Sequence, residues 1–343
     1  MIDLMTVGII GAGRIGQLHV NNLKRIPGIR IKMIADIQAD AITQWAKDHA
    51  IEVVTKDPQH IINDPEIEAV LICSPTTTHA ELIKKCARAK KHIFCEKPIS
   101  FSTLETEEAL KIVEEEGVIL QVGFNRRFDQ NFRTVKEKIA QGEIGRVHTL
   151  KITSRDPYPP PPSYIKTSGG LFMDMMIHDF DMARYITQSE IVEVFVKGTV
   201  LIDEQIAACD DIDTAMVLLT FENGAIGVIE NSRKSAFGYD QRLEVFGSEG
   251  ALQVDNNRPN NITKLTAEGV QTEKPYHFFL ERYTQAYIDE MLEFYKTIKT
   301  GAPIVCSGQD GYAAEVIAEA CKESLITGKA VSLKGSEVHV TRQ

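Results

Sequence analysis

No apolar run in the sequence approaches the roughly 18 residues that a membrane-spanning helix requires, so no such span is expected. The opening MIDLMTVGIIGAG lacks the basic segment and small-residue cleavage site of an export signal. Its six cysteines (Cys73, Cys86, Cys95, Cys209, Cys306 and Cys321) form no CxxC pair and no Cys/His cluster at zinc spacing. That usage argues against a disulfide framework or a metal centre and fits free thiols in a reducing, cytoplasmic compartment. There is no Lys/Arg block either. With 38 basic against 48 acidic residues and a net charge of -10, the chain has nothing to neutralise a phosphate backbone, and nucleic acid is not an expected partner. Internal repeats and low-complexity tracts are absent apart from four prolines at 159–162.

At 343 residues the chain exceeds the size at which a single core stops growing, so two domains are expected, 1–124 and 125–343. The first is organised around glycines. The β-rich TVGII (6–10) runs into GAGRIG, with Gly11, Gly13 and Gly16, and then into QLHVNNLKRI, which has helical spacing. A second strand-like run, IRIKMIAD, ends on Asp36, twenty residues beyond Gly16. Strand, glycine turn, helix, strand and acid in that order form a dinucleotide-binding pattern. The glycines let the backbone approach a pyrophosphate, the helix N-terminus offers N–H groups, and the acid accepts hydrogen bonds from ribose hydroxyls. A carboxylate at 36 repels a 2′-phosphate, and the following IQAD offers no arginine, so NAD is expected rather than NADP. Cofactor contacts are expected from Gly11, Gly13, Arg14, Ile15, Gly16, Asp36, Ser74, Thr76, His79, Glu96 and Lys97.

Alternation continues through EAVLICSP (68–75), AELIKKCARAKK, HIFCEKP (92–98), TLETEEALKIVEEEG and VILQVGF, the signature of an α/β, doubly wound parallel (Rossmann) sheet. Lys97 falls at the C-terminal end of a strand, the edge where such sheets bind ligands. NRRFDQNFRTVKEKIAQGEIG then reads as a helix closed by Gly142 and Gly145. Beyond it RVHTLKITSRD, EIVEVFVKGTVL, TAMVLLTFENGAIGVIENSR and QRLEVFGSEGALQV alternate at period 2, with hairpin signals at Asn223-Gly224 and GSEG. The second domain is therefore an α+β unit with a large, mainly antiparallel open sheet. Its DPYPPPPSYIKTSGG segment is read as a stiff extended rim loop. Helices return at 279–301 and 315–328, and they can pack back on the first domain.

One stretch concentrates titratable groups in apolar surroundings: GGLFMDMMIHDFDMARY, 169–185. At 3.6 residues per turn Asp174, His178, Asp181 and Tyr185 share a face, beside a stripe of Met173, Ile177 and Phe180. Alone, this is equally a core-packed helix carrying a satisfied histidine.

Together, GAGRIG, CEKP, NRRFD and SGGLFMDMMIHDFDMARY resemble the glucose–fructose oxidoreductase / inositol dehydrogenase (Gfo/Idh/MocA) family of NAD(P)-dependent oxidoreductases, over nearly the whole chain. The resemblance implies a catalytic lysine in EKP, here Lys97, and a catalytic Asp/His pair in DxxxH, here Asp174 and His178. It also implies a homotetramer and substrate contacts at Asp174 and His178, with Tyr239 and Tyr283 similar to family tyrosines that approach the substrate. Arg127, where the chain enters the second domain, and Asp156, at the end of its first strand, either bind substrate hydroxyls or brace the interface, and a structural role is equally open to the two tyrosines. SRDPYPPPPSYIKTSGGLF points, within the family, to members that oxidise myo-inositol to its 2-keto form. Competing readings are the same chemistry on scyllo-inositol, D-chiro-inositol or a pyranose such as glucose, and a dinucleotide-sensing protein on the same fold. The chemistry agrees with an oxidation: a histidine suits removal of the O–H proton, a lysine suits a developing alkoxide, and the aspartate holds the polyol or the imidazolium.

Overall fold

The computed structural model describes residues 4–333 and divides into two compact units, Met1–Phe128 with Gln285–Glu315, and Asp129–Thr284 with Val316–Gln343. The first differs from a plain N-terminal domain by taking up the helix Thr284–Thr300 from Gln285 onward and the start of Gly308–Thr327.

Its sheet has six strands: β1 (Met5–Ile10), β2 (Ile29–Ala35), β3 (Val53–Thr55), β4 (Ala69–Ile72), β5 (His92–Cys95) and β6 (Leu120–Val122). They lie in the order β3-β2-β1-β4-β5-β6, all parallel. Every residue of β1 and β4 is buried, as a parallel sheet covered on both faces requires. The core gathers Met5, Val7, Ile9, Leu71 and Phe94 from the strands with Val20 and Leu23 from the helix Arg14–Leu23, and Met291 and Phe294 complete it. The strand order reverses between β1 and β4, which places a ligand crevice at the carboxyl ends of these two strands.

The second unit contains β7 (Val147–Arg155), β8 (Ile191–Thr199), β9 (Thr214–Phe221), β10 (Ile226–Ser232), β11 (Asp240–Gly247), β12 (Ala251–Val254), an exposed hairpin of β13 (Thr263–Thr266) and β14 (Gly269–Thr272), and β15 (Val331–Ser332). Seven of them form a sheet ordered β12-β11-β7-β10-β9-β8-β15. All its pairs are antiparallel except β7 with β10, whose parallel register brings Arg155 opposite Ser232. One face is buried through Ala215, Val217, Leu219 and Phe221, while Met216, Leu218, Ile226 and Phe246 on the other are about half exposed.

Three local features depart from the periodicity reading. NRRF is a short 3₁₀ turn, and the helix Gln130–Ala140 begins behind Asp129, whose carboxylate caps it by accepting from Asn131 N–H and Phe132 N–H. The proline tract is only partly a loop. Pro161 is extended at φ −64°, ψ 150°, but Pro162 opens the helix Pro162–Ser168, where a proline has no N–H to lose. Finally, 169–185 is not one regular helix. Gly169 ends the preceding helix at φ +85°, Phe172–Met176 forms a π-helical turn, and α-geometry resumes over Ile177–Thr187. The wider turn changes the angular offset between Asp174 and His178, and such turns recur at functional sites.

Candidate active site

In the first unit the glycine turn has the shape its sequence demands. Gly11 adopts φ +98°, and a Cβ there would stand 2.6 Å from the Cys73 carbonyl. At Gly16 a Cβ would run into the Gly11 carbonyl oxygen, so the helix can approach the turn only with glycine here. Gly13 is the opposite case: a Cβ would meet nothing within 4 Å, and no side chain caps the helix N-terminus behind it. Backbone N–H groups facing open space at a helix start suit a pyrophosphate. Arg14 is exposed and Ile15 half-buried on that first turn. Asp36, just beyond β2, accepts from Ala12 N–H at 2.7 Å and from Gln38 N–H at 2.7 Å, which ties its carboxylate to the glycine turn. These residues fit NAD: open backbone donors for the phosphates, and a fixed carboxylate for the ribose.

After β4, Ser74 Oγ lies 2.7 Å from Thr78 Oγ1, and Thr76 is half-buried. His79 is placed differently from a ligand contact. It is buried, its Nδ1 lies 2.8 Å from the Pro98 carbonyl and its Nε2 2.7 Å from the Ser74 carbonyl. Burial lowers its pKa, which favours the neutral ring, and this can donate to only one of the two carbonyls. The histidine braces the Ser74 turn against the Lys97–Pro98 turn. Glu315 holds the same turn from the other side: it is fully buried and accepts from Ile99 N–H (2.6 Å), Ser100 N–H (3.2 Å) and Thr106 Oγ1–H (2.6 Å). The half-buried Lys97 therefore stands directly before a Pro98–Ile99 peptide that is held on both sides, its carbonyl by His79 and its N–H by Glu315, a support not visible in the sequence.

Glu96, next to Lys97, pairs with the fully buried His19 at 2.7 Å, and the His19 ring packs edge-on to Phe94 and Tyr287. Nearby is Glu290, fully buried, neither of whose carboxyl oxygens has a hydrogen-bond partner among the described residues. Burial first, and the Glu96 charge second, push its pKa well above its ordinary value of 4.5. Above pH 4.5 the unfolded chain releases this proton while the folded protein keeps it, so stability falls as pH rises through that window. Glu290→Gln removes the proton exchange. The Tm difference between variant and parent should move in the variant's favour from pH 5 to pH 7.5; a constant difference would mean that folded Glu290 is charged.

In the second unit the observed cluster is built on Asp174. Its Oδ2 accepts from Arg233 at 3.2 Å, and its Oδ1 accepts from the Tyr164 hydroxyl at 2.9 Å. Arg233, directly after β10, is 1% exposed and reaches Asp211 at 3.6 Å. Asp211 in turn accepts from Leu171 N–H at 2.9 Å, and Gly170, at φ +79°, leaves it room, since a Cβ there would stand 2.8 Å from its oxygen. The π-turn carrying Asp174 is thus fastened at its start and at its carboxylate. His178 is half-buried on the first turn of the following helix, and Asp179 and Asp181 are fully buried. Asp179 accepts from Asn231 at 2.8 Å, which locks the helix onto β10. A carboxylate held from behind, with a histidine one turn on, can bind a hydroxyl and remove its proton.

The remaining candidates are distributed unevenly. Asp156 N–H donates to the Ser232 carbonyl at 2.9 Å, so Asp156 stands beside Arg233 at the shared edge of β7 and β10. Tyr239 and Tyr283 are buried together, ring centroids 6.0 Å apart and edge-on, and the Tyr283 hydroxyl reaches Gln241 at 3.4 Å. Arg127 belongs to the first unit, where it is buried, donates to the Val305 carbonyl at 2.8 Å and pairs with Asp310 at 2.9 Å. That geometry is a brace. Arg233 and Tyr164 were missed by the sequence reading. Among the described residues no three His, Cys, Asp or Glu side chains gather as metal ligands, and no helix is long and apolar enough to cross a membrane.

A glycine-turn crevice at the switch point of a parallel sheet, in one chain with an Asp/His helix on an open mixed sheet, defines a dinucleotide-dependent oxidoreductase. Comparison with known proteins agrees. Residues 5–124 match the oxidoreductase family with an NAD-binding Rossmann fold, and residues 132–253 match the GFO/IDH/MocA C-terminal domain. The chain is 55% identical over 98% of its length to the uncharacterized oxidoreductase YrbE of Bacillus subtilis, covering 99% of that protein. It is 47% identical over 96% of its length to the myo-inositol 2-dehydrogenase of Thermotoga maritima, covering 99% of it. Among solved structures, the Lactobacillus casei scyllo-inositol dehydrogenase with bound NAD(H) and scyllo-inositol superposes with a TM-score of 0.90 at 28% identity, over 96% of this chain and 99% of that one. The chain belongs to the GFO/IDH/MocA family of oxidoreductases.

Proposed function

We propose that this protein oxidises myo-inositol to its 2-keto form with NAD, and that Lys97, Asp174 and His178 carry the chemistry. The observation that carries the substrate is the 47% identity, over 96% of the chain, to a myo-inositol 2-dehydrogenase, set against 38% over 87% of the chain to a scyllo-inositol 2-dehydrogenase of Bacillus subtilis. NAD, when bound, supplies the acceptor for the hydride leaving the carbinol carbon. His178 takes the hydroxyl proton, so that the products are ketone, NADH and a proton. Asp174, fixed by Arg233, holds the polyol. The Lys97 ammonium donates a hydrogen bond to the reacting oxygen and stabilises the negative charge that grows on it.

The test is NADH formation with NAD and a panel of myo-, scyllo- and D-chiro-inositol, D-glucose and D-xylose, repeated with NADP. The highest kcat/KM is expected on myo-inositol with NAD. A lead by another polyol would move the substrate, and silence across the panel with measurable NAD binding would support a sensor.

The same reading includes a cytoplasmic homotetramer. Six free cysteines, four of them buried, suit a reducing compartment. The row of Met216, Leu218, Ile226 and Phe246 on the open sheet face suits self-association. Sedimentation as a monomer at micromolar concentration would remove the tetramer.

A further inference from the structure

Asp174 sits in a chain of four polar side chains that passes from solvent to the interior. Tyr164 is 47% exposed, the Asp174 side chain 14%, the Asp211 side chain 9% and Arg233 1%. The buried guanidinium occupies Oδ2 of Asp174, so the oxygen turned outward is Oδ1, and the Tyr164 hydroxyl donates to it at 2.9 Å. The phenol is not delivered by a loose loop. Tyr164 N–H donates to the Pro161 carbonyl at 2.9 Å and its own carbonyl accepts from Thr167 Oγ1–H at 3.1 Å, on a helix whose first residue is a proline.

A phenol that has given its proton to a carboxylate keeps lone pairs for a second donor. Oδ1 of Asp174 and the oxygen of Tyr164 are therefore two adjacent acceptors. Their 2.9 Å separation is close to the spacing of gauche hydroxyl oxygens on neighbouring ring carbons. A trans-diaxial pair on neighbouring carbons, whose oxygens are anti to each other, is too far apart to meet both.

We propose that Tyr164 is a specificity-determining residue that, with the outward oxygen of Asp174, binds two neighbouring hydroxyls of a cyclic polyol. The proposal rests on the reading of Asp174 as a polyol contact and adds a second reader to it. It also gives a use to the proline tract, which starts the helix that presents the phenol.

Tyr164→Phe removes one oxygen from a half-exposed ring and leaves the fold intact, which the unchanged Tm should verify. On the preferred polyol kcat/KM should fall by about tenfold to a hundredfold, as expected for a lost hydrogen bond to a substrate hydroxyl. The KM for NAD should stay at its wild-type value, and the ratio of kcat/KM between epimers should narrow, a change that a purely structural role would not produce. An active wild type whose Tyr164→Phe variant keeps every kcat/KM, or lowers all of them equally, overturns this inference alone. A wild type inert towards every polyol in the panel overturns it together with the proposed function.

Discussion

His178→Ala is expected to lower kcat by about 10²-fold or more while the Kd for NAD stays near wild type. The expectation follows from the location of the two tasks. The glycine turn, Asp36 and the Ser74 turn all belong to the first unit, whereas His178 belongs to the second, on the helix Ile177–Thr187. Alanine there replaces no group proposed to hold the dinucleotide. What it removes is the imidazole, the side chain whose ordinary titration range suits it to accept a hydroxyl proton near neutral pH. The loss corresponds to about 2.7 kcal/mol or more of transition-state stabilisation. Steady-state kinetics with NAD titration checks both halves. Unchanged turnover would sink the assignment of the base, and a large loss of NAD affinity would recast His178 as part of the cofactor site.

How much of this was legible beforehand depends on the range over which each feature is decided. The dinucleotide turn is decided locally. Gly11 needs its positive φ and Gly16 its missing side chain because of atoms a few residues away or on the next strand, and this demand is written as glycines at fixed spacing. The strands were equally readable, because alternation reports which residues are buried. Alternation does not report direction, however, so the parallel pairing of β7 with β10 was not visible, although it sets Asp156 beside Arg233. Longer-range partners left no mark. Arg233 follows a strand like any solvated basic residue, and nothing near it in the chain says that it turns inward to a carboxylate 59 positions earlier. Glu315 and Glu290 are the same kind of case, acidic residues on helices whose burial is decided by elements distant in the chain, for Glu315 the Ile99–Ser100 turn and Thr106. The π-turn escaped because a helical wheel assumes a constant 3.6 residues per turn, which is the quantity that changes at Phe172–Met176. The helix Pro162–Ser168 had a signal, a proline at a first helical position, but three preceding prolines hid it.

Lys97→Ala should cost about 10²-fold or more in kcat/KM for the polyol, the scale of losing one donor to a developing oxyanion. Its turn is held by groups that the substitution leaves in place. His79 lies against the Pro98 carbonyl, and Glu315 accepts from the N–H groups of Ile99 and Ser100, none of them through the lysine side chain. The backbone should therefore stay where it is, and the lost function should be that of the ammonium alone. The expected pattern is a fall in kcat with the KM for NAD unchanged, because a donor to the reacting oxygen gains strength only as charge builds there. Lys97→Arg should recover little, since a planar guanidinium is larger and presents its donors in a fork rather than at a point. If the alanine variant instead raises the KM for NAD and leaves kcat intact, Lys97 is a cofactor contact. The alkoxide would then need another cation. Two arginines named above already hold carboxylates: Arg127 pairs with Asp310 and donates to the Val305 carbonyl, and Arg233 pairs with Asp174 and Asp211.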